Sequence, residues 1–194
     1  MANHVDNYIK TNELNEEGQK VWNGIIEKLD KILKEDESTH EAHLGLMFWD
    51  DFDAEGFDRE GMCEKVGAKW AYATDWDVDF IAAYSAWSQI SEFASWIAKQ
   101  IGEVDPDVQV TLEYRDEMPN FVGISHFIAD GSENEDYYLE SEEILELCMD
   151  QEEELAEMWD ADAEEWLEDK EDEAREILWN IQWDVIDQWM ENFR

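Results

Sequence analysis

Basic residues are scarce in this chain. Lys and Arg total 13 against 53 Asp and Glu in 194 residues, a formal net charge of -40. Nucleic acid, an anionic membrane surface and acidic substrates are therefore poor partners, because like charges repel at every approach. The natural partner is a basic surface. Cysteine is nearly absent as well. Cys63 and Cys148 are too few for a disulfide framework and read as reduced thiols of a cytoplasmic protein. The opening "MANHVDNYIK" has no basic segment followed by an apolar run, so no signal peptide is expected. Long apolar runs are missing, which leaves nothing to span a membrane. Neither Gly nor Pro occurs between Leu139 and Phe193.

What is abundant, besides acid, is aromatic. Hydrophobic residues make up 44% of the chain and aromatics 13%, with eleven Trp, which suffices for a buried core of one domain plus an appendage. "HVDNYIKT" (His4 to Thr11) alternates as a strand, with Val5 and Ile9 on one face. Asn15 caps a helix whose stripe is Val21, Trp22, Ile25, Ile26, Leu29, Ile32 and Leu33. The run from Leu44 to Gly61 starts apolar and becomes an acidic, Gly-punctuated loop. Ala68 to Trp87 reads as two strands of a hairpin, Ser88 to Ile101 as a helix, and Asp105 to Glu117 and Asn120 to Gly131 as two more strands. From residue 139 onward the signals are helical.

The expected fold class is α+β. Residues 1–138 form a ferredoxin-like sandwich, an antiparallel sheet with two helices built on a split β-α-β pattern. Residues 139–194 form an acidic helical extension, either one long helix or a helical hairpin.

Chemistry-bearing motifs fail one by one. Asp75, Asp77 and Asp79 in "DWDVD" resemble the start of an EF-hand, but Phe80 stands where Gly is required and Ala86 where the bidentate Glu belongs. On a strand, these three carboxylates share one face. "WDDFDAEGFDREG" brings acids together at no recognised ligand spacing. His40 and His43 beside Glu37 and Glu41 lack two further ligands. Gly102, Gly123 and Gly131 stand alone, and no nucleophile elbow is present. No cofactor, no metal and no catalysis are expected.

The stretches "MANHVDNYI", "GAKWAYATDWDVDF" (Gly67 to Phe80), "LEYRDEMPNFVG" (Leu112 to Gly123) and "ADG" (Ala129 to Gly131) resemble phage and plasmid proteins with a YubB-like ferredoxin-like domain. The resemblance covers about two-thirds of the chain. It implies that fold and a mobile-element origin, and no activity. The long acidic tail departs from the family pattern.

In that tail, Glu152 to Glu176 holds fourteen acids and two bases, a net charge of -12. As a helix these 25 residues would be about 37 Å long, and B-DNA of that length carries about eleven charges per strand. Leu145, Cys148, Leu155, Trp159 and Trp166 would face inward, leaving the carboxylates outward. Acids four apart, such as Glu153 and Glu157 or Glu164 and Glu168, destabilise a helix, so folding alone does not favour the pattern. The tail tryptophans read mainly as core contacts.

The sequence thus points to a phage-encoded, non-enzymatic DNA mimic in the bacterial cytoplasm. It would fill the basic groove of a host DNA-binding defence enzyme of restriction, BREX or CRISPR type. The partner-binding carboxylates are Glu152, Glu153, Glu157, Asp160, Glu164, Glu165, Glu168, Asp169, Asp172 and Glu173, with Asp75, Asp77 and Asp79 as a second patch. A two-fold dimer would extend the charged surface. The alternatives are an adaptor that binds a host complex through shape, such as a transcription regulator, and an acidic surface that only solvates.

Overall fold

The computed structural model describes residues 3–35, 40–118, 120–151, 157–160, 165–167 and 169–193. In chain order the elements are β1 (His4–Thr11), α1 (Glu16–Glu35), β2 (Ala42–His43), a 3-10 turn (Leu44–Met47), α2 (Arg59–Val66), β3 (Ala71–Trp76), β4 (Phe80–Ala86), α3 (Ser91–Gly102), β5 (Gln109–Asp116), β6 (Phe121–Ile128), β7 (Glu133–Glu140), α4 (Ser141–Gln151), β8 (Trp159–Asp160), β9 (Glu165–Trp166) and α5 (Glu171–Glu191). The fold is mixed, with a seven-stranded antiparallel sheet in the order β2-β3-β4-β1-β5-β6-β7 and five helices among the described residues. That sheet is larger than the two-helix ferredoxin-like sandwich expected. Among the described residues, no helix is long and apolar enough to cross a membrane.

Two compact units make up the chain: Met1–Glu117 with Gly123–Tyr137, and Met118–Val122 with Tyr138–Arg194. The first is organised by the alternation of β1. Val5, Asn7 and Ile9 are buried, and their partners across the ladder, Ser85, Ala83 and Ile81 on β4, are buried with them. On β5, Asp116, Tyr114 and Leu112 share that face. Trp22, Ile25, Leu29 and Ile32 of α1, and Phe93, Ile97 and Ile101 of α3, complete this core. Their spacings of three and four are those of one helix face. Asn7 is the polar member of the core and is fully satisfied. Its amide donates to Val5 O (2.8 Å) and Ser85 Oγ (2.9 Å), and its Oδ1 accepts from Ile90 N–H (3.0 Å).

Asn15 caps α1 as its sequence position predicts, accepting from Gly18 N–H at 2.8 Å. Its own N–H donates to the buried carboxylate of Asp105 (2.7 Å), just beyond α3. One acid thus ties the start of α1 to the end of α3. Asp58 caps α2 through Gly61 N–H (2.9 Å), and Gly67 closes it with φ 96°, a left-handed conformation that favours glycine.

Three expectations are corrected. The segment from residue 139 onward is not wholly helical. Leu139 and Glu140 finish β7, while β8 and β9 pair antiparallel with Trp159 opposite Trp166 and Asp160 opposite Glu165. The helix expected through Trp159, Asp160, Glu165 and Trp166 is therefore interrupted. Acids spaced four apart oppose a helix here. "DWDVD" is not one strand face. A register shift between Ala73 and Asp75 breaks the alternation, Asp75 lies at the end of β3, and Asp77 and Asp79 sit in the turn to β4. Asp77 N–H donates to Phe80 O (3.0 Å), and Asp77 Oδ1 accepts from Val78 N–H (2.7 Å). Finally, the acidic loop ends in α2, which begins at Arg59.

In the second unit α4 packs against α5, and Ile144, Cys148, Met158, Ala174, Val185, Ile186 and Met190 are buried. Replacing Asp105 with Ala leaves the Asn15 N–H without its acceptor. The expected loss is about 1–3 kcal/mol, read from the urea midpoint, whereas Asp105→Asn keeps an acceptor and loses less.

Candidate functional site

Among the described residues, exposed carboxylates gather on elements that are fastened from beneath. The end of β3 and the turn to β4 present Asp75, Asp77 and Asp79 to solvent. Trp76 Nε1 donates to Asp30 Oδ1 on α1 (2.9 Å), Trp22 Nε1 to Asp77 O (3.4 Å), and Gln19 Nε2 to Val78 O (3.4 Å). The turn is therefore bolted to a helix that adds Glu16, Glu17 and Glu27 to the exposed acids.

The second acidic surface is the loop from Phe48 to Glu60, which sequence reasoning weighed only as a metal cage. Asp50, Asp51, Asp53, Glu55, Asp58 and Glu60 are all exposed. Aromatic rings hold the loop down. Phe48 packs edge-on against Phe93 (6.2 Å between centroids) and Trp96 (5.2 Å), and Trp49 and Phe52 pack on Phe57 (5.0 and 5.2 Å). Gly61 approaches Gly56 O so closely that a Cβ would lie 2.0 Å from it. The sequence carried the signal, since four aromatics alternate with the acids, but spacing alone does not say that they anchor.

The histidine metal set is not assembled. His40 is exposed, and Glu41 accepts a hydrogen bond from the Tyr84 hydroxyl. His43 is buried with Nδ1 accepting from Gly45 N–H (3.0 Å), and Glu37 lies outside the described residues. Among the described residues no three of His, Cys, Asp and Glu are grouped to hold a metal ion.

Of the tail acids, Glu157, Asp169, Asp172 and Glu173 are exposed, and Glu173 pairs with Lys170 at 2.6 Å. Asp160 and Glu165 are opposed across the β8–β9 pair, while Glu152, Glu153, Glu164 and Glu168 lie outside the described residues. Trp179 is half exposed, and Trp183 and Trp189 are partly buried, with Trp189 against Phe193 at 4.9 Å.

A feature that sequence reasoning missed lies on the other face of the sheet. Register places Tyr72, Tyr84, Asp6 and Arg115 in one row across β3, β4, β1 and β5. In the first unit this face carries a stack: His4 on Tyr84 (5.5 Å, 16°) and Tyr84 on Tyr72 (5.6 Å, 25°), with Trp70 edge-on to His4 (5.3 Å). Farther along, Tyr8 stacks on Phe80 at 5.3 Å. Asp6 pairs with Arg115 at 3.8 Å, and Glu113 pairs with Lys10. Burial and the Glu41 carboxylate together raise the Tyr84 hydroxyl pKa well above the usual phenol range.

No family model, curated protein or solved structure matches the chain.

Two chemical probes follow from these environments. Burial among aromatic rings pushes His43 down to about 4, so the fold holds the neutral imidazole. An unfolded chain protonates that imidazole from about pH 6.5 downward. Stability is therefore lost as pH falls from about 6.5 to about 4. His43→Gln, which retains an acceptor for Gly45, is expected to remove this part of the acid dependence, checked by urea midpoints at about pH 7 and about pH 5. Cys63 is exposed, whereas Cys148 is buried and its thiol is pushed up to about 11. An aromatic disulfide reagent is expected to modify Cys63 in the native protein and Cys148 only after unfolding.

Proposed function

We propose that this protein is a non-catalytic DNA mimic that occupies the basic DNA-binding surface of another protein. The observation that carries the reading is that exposed carboxylates of the first unit sit on anchored backbone, at the β3–β4 turn and on the aromatic-pinned loop. Fixed anions at set positions lose little freedom on binding. Carboxylates on such a scaffold take phosphate positions against Lys and Arg, and a charge of -40 steers a cationic groove toward them.

The mimicry is spread over more of the chain than a single tail helix. The exposed Glu157, Asp169, Asp172 and Glu173 of the second unit stay among the proposed carboxylates, as do Asp75, Asp77 and Asp79 of the first, and the first unit's loop acids Asp50, Asp51, Asp53 and Glu55 are added to the set. The inner strands β3-β4-β1-β5 with α1 and α3 follow a β-α-β-β-α-β order. That order supports a ferredoxin-like nucleus, enlarged at both edges, and the likeness to YubB-like mobile-element proteins rests on the sequence stretches. With that likeness, the groove to be filled belongs to a host defence enzyme in the bacterial cytoplasm. The aromatic face of the sheet favours a second reading, an adaptor that docks by shape.

Charge reversal separates the two readings. Proteins retained from a bacterial lysate on the immobilised chain should be released by added duplex DNA. Retention should fall roughly tenfold or more between low and moderate salt. Changing Asp50, Asp51, Asp53 and Glu55 to Lys, or Glu157, Asp169, Asp172 and Glu173 to Lys, should abolish it. Retention that survives both reversals and ignores duplex DNA overturns the mimic. Its loss on Trp→Ala changes alone would establish the adaptor.

A further inference from the structure

One ring of the pinned loop is held in place without being covered. Phe52 is 54% exposed, whereas Phe48, Trp49 and Phe57 of the same loop are partly buried. Its ring meets Phe57 (5.2 Å between centroids, 72°) and the buried imidazole of His43 (5.4 Å, 85°). The backbone around it is fixed as well. Asp51 Oδ1 accepts from Asp53 N–H (2.9 Å), and Phe57 N–H donates to Ala54 O (3.0 Å). A lone apolar side chain at a surface needs no explanation. Phe52 is instead the most exposed member of a packed set of rings. The charges beside it are unclaimed: Asp50, Asp51 and Asp53 are exposed, and none of them forms an ion pair with a described basic residue.

We propose that Phe52 is the docking point for an arginine side chain of the basic partner. An aromatic face carries negative quadrupole potential and attracts a cation. A guanidinium suits the position better than an ammonium, because it is planar, weakly hydrated and stacks on rings. Its N–H donors also need acceptors, and Asp51 and Asp53 stand on either side of Phe52 in the chain. Charge complementarity selects the occupant. An uncharged apolar segment laid on the ring would strip water from these carboxylates and leave them unpaired, which is costly. A single-stranded nucleic acid would stack a base on the ring, but its phosphates are repelled by the same acids. Because the ring is already held, little side-chain freedom is lost on binding. The inference rests on the partner's being basic, as proposed above, and adds the residue at which the loop makes a contact that depends on the shape of the cation.

The probe is a labelled nine-residue arginine peptide, compared with the nine-residue lysine peptide, titrated at low salt and again at roughly 0.5 M salt, where attraction between exposed charges is largely screened. At high salt the wild-type protein should prefer the arginine peptide. Phe52→Leu, which keeps an apolar side chain but removes the ring, should weaken arginine-peptide binding there by roughly 3- to 30-fold and leave the lysine peptide nearly unaffected. Phe52→Tyr, which keeps a ring, should bind like wild type. Reversing Glu157, Asp169, Asp172 and Glu173 to Lys should lower the low-salt affinity and spare the high-salt preference for arginine. High-salt binding that Phe52→Leu leaves unchanged overturns the docking point, as does an equal loss for both peptides, the mark of a loosened loop. Low-salt affinity that ignores the charge reversal overturns the mimic reading instead, and a Phe52 dependence at high salt then still supports this one.

Discussion

Repulsion between carboxylates is the constraint to which everything else in this protein answers. With 53 acids against 13 bases, compaction brings like charges together and destabilises the folded state. The chain meets this in two ways. Among the described residues most acids stay at the surface, where water and salt screen them over about 8 Å at physiological ionic strength. The few buried ones are paired with donors. Asp105 accepts from Asn15 N–H, Asp116 from the Asn3 amide at 3.3 Å, and Glu113 from Lys10. Against the residual repulsion stands a large apolar core that includes Trp22, Phe93, Leu29, Ile97 and Leu112, each contributing about 1.5–3 kcal/mol by its burial.

The same constraint shapes the sheet edges. β2 is only two residues long, and β7 is an eight-residue strand with Glu133, Glu135 and Asp136 exposed. Short or charged edges resist addition of a further strand. Open backbone at either end of the sheet is therefore a poor place for a second copy to dock, which directs attention to side chains on the sheet face and to the anchored loops.

Elements whose burial follows their local period are legible in the amino-acid order alone. β1, α1, β4, α3 and β5 each show a regular alternation or stripe, and Asn15 announces the start of α1. β7 is not legible, because "ENEDYYLE" exposes its first four residues and so has no alternating apolar face to betray it. α2 is eight residues long and buries only Met62 and Val66, too little for a visible stripe. The tail misleads in the opposite direction. Absence of Gly and Pro permits a helix but does not supply one, and repulsion at four-residue spacing lets the β8–β9 pair replace it. As for the site, single acids can be read directly, whereas the aromatic stack cannot. Tyr72 and Tyr84 meet His4 only through cross-strand register, which is non-local. The positive φ of Trp87 has no sequence signal either, since glycine is the residue that marks such a position.

On the proposed mimic reading, carboxylates on the β3–β4 turn and the pinned loop act through a field that reaches about a Debye length and attracts any cationic groove, with little power to choose among them. Selectivity needs an interaction that vanishes within a few ångströms and depends on orientation. A stacked set of rings has that property, because its attraction for a planar cation requires face-to-face approach. The His4–Tyr84–Tyr72 stack is built on a sheet whose register fixes Tyr72 opposite Tyr84 and His4 opposite Ala86. Rigidity under the rings and under the acids has one origin, the ladder from β3 through β5 and the helices behind it.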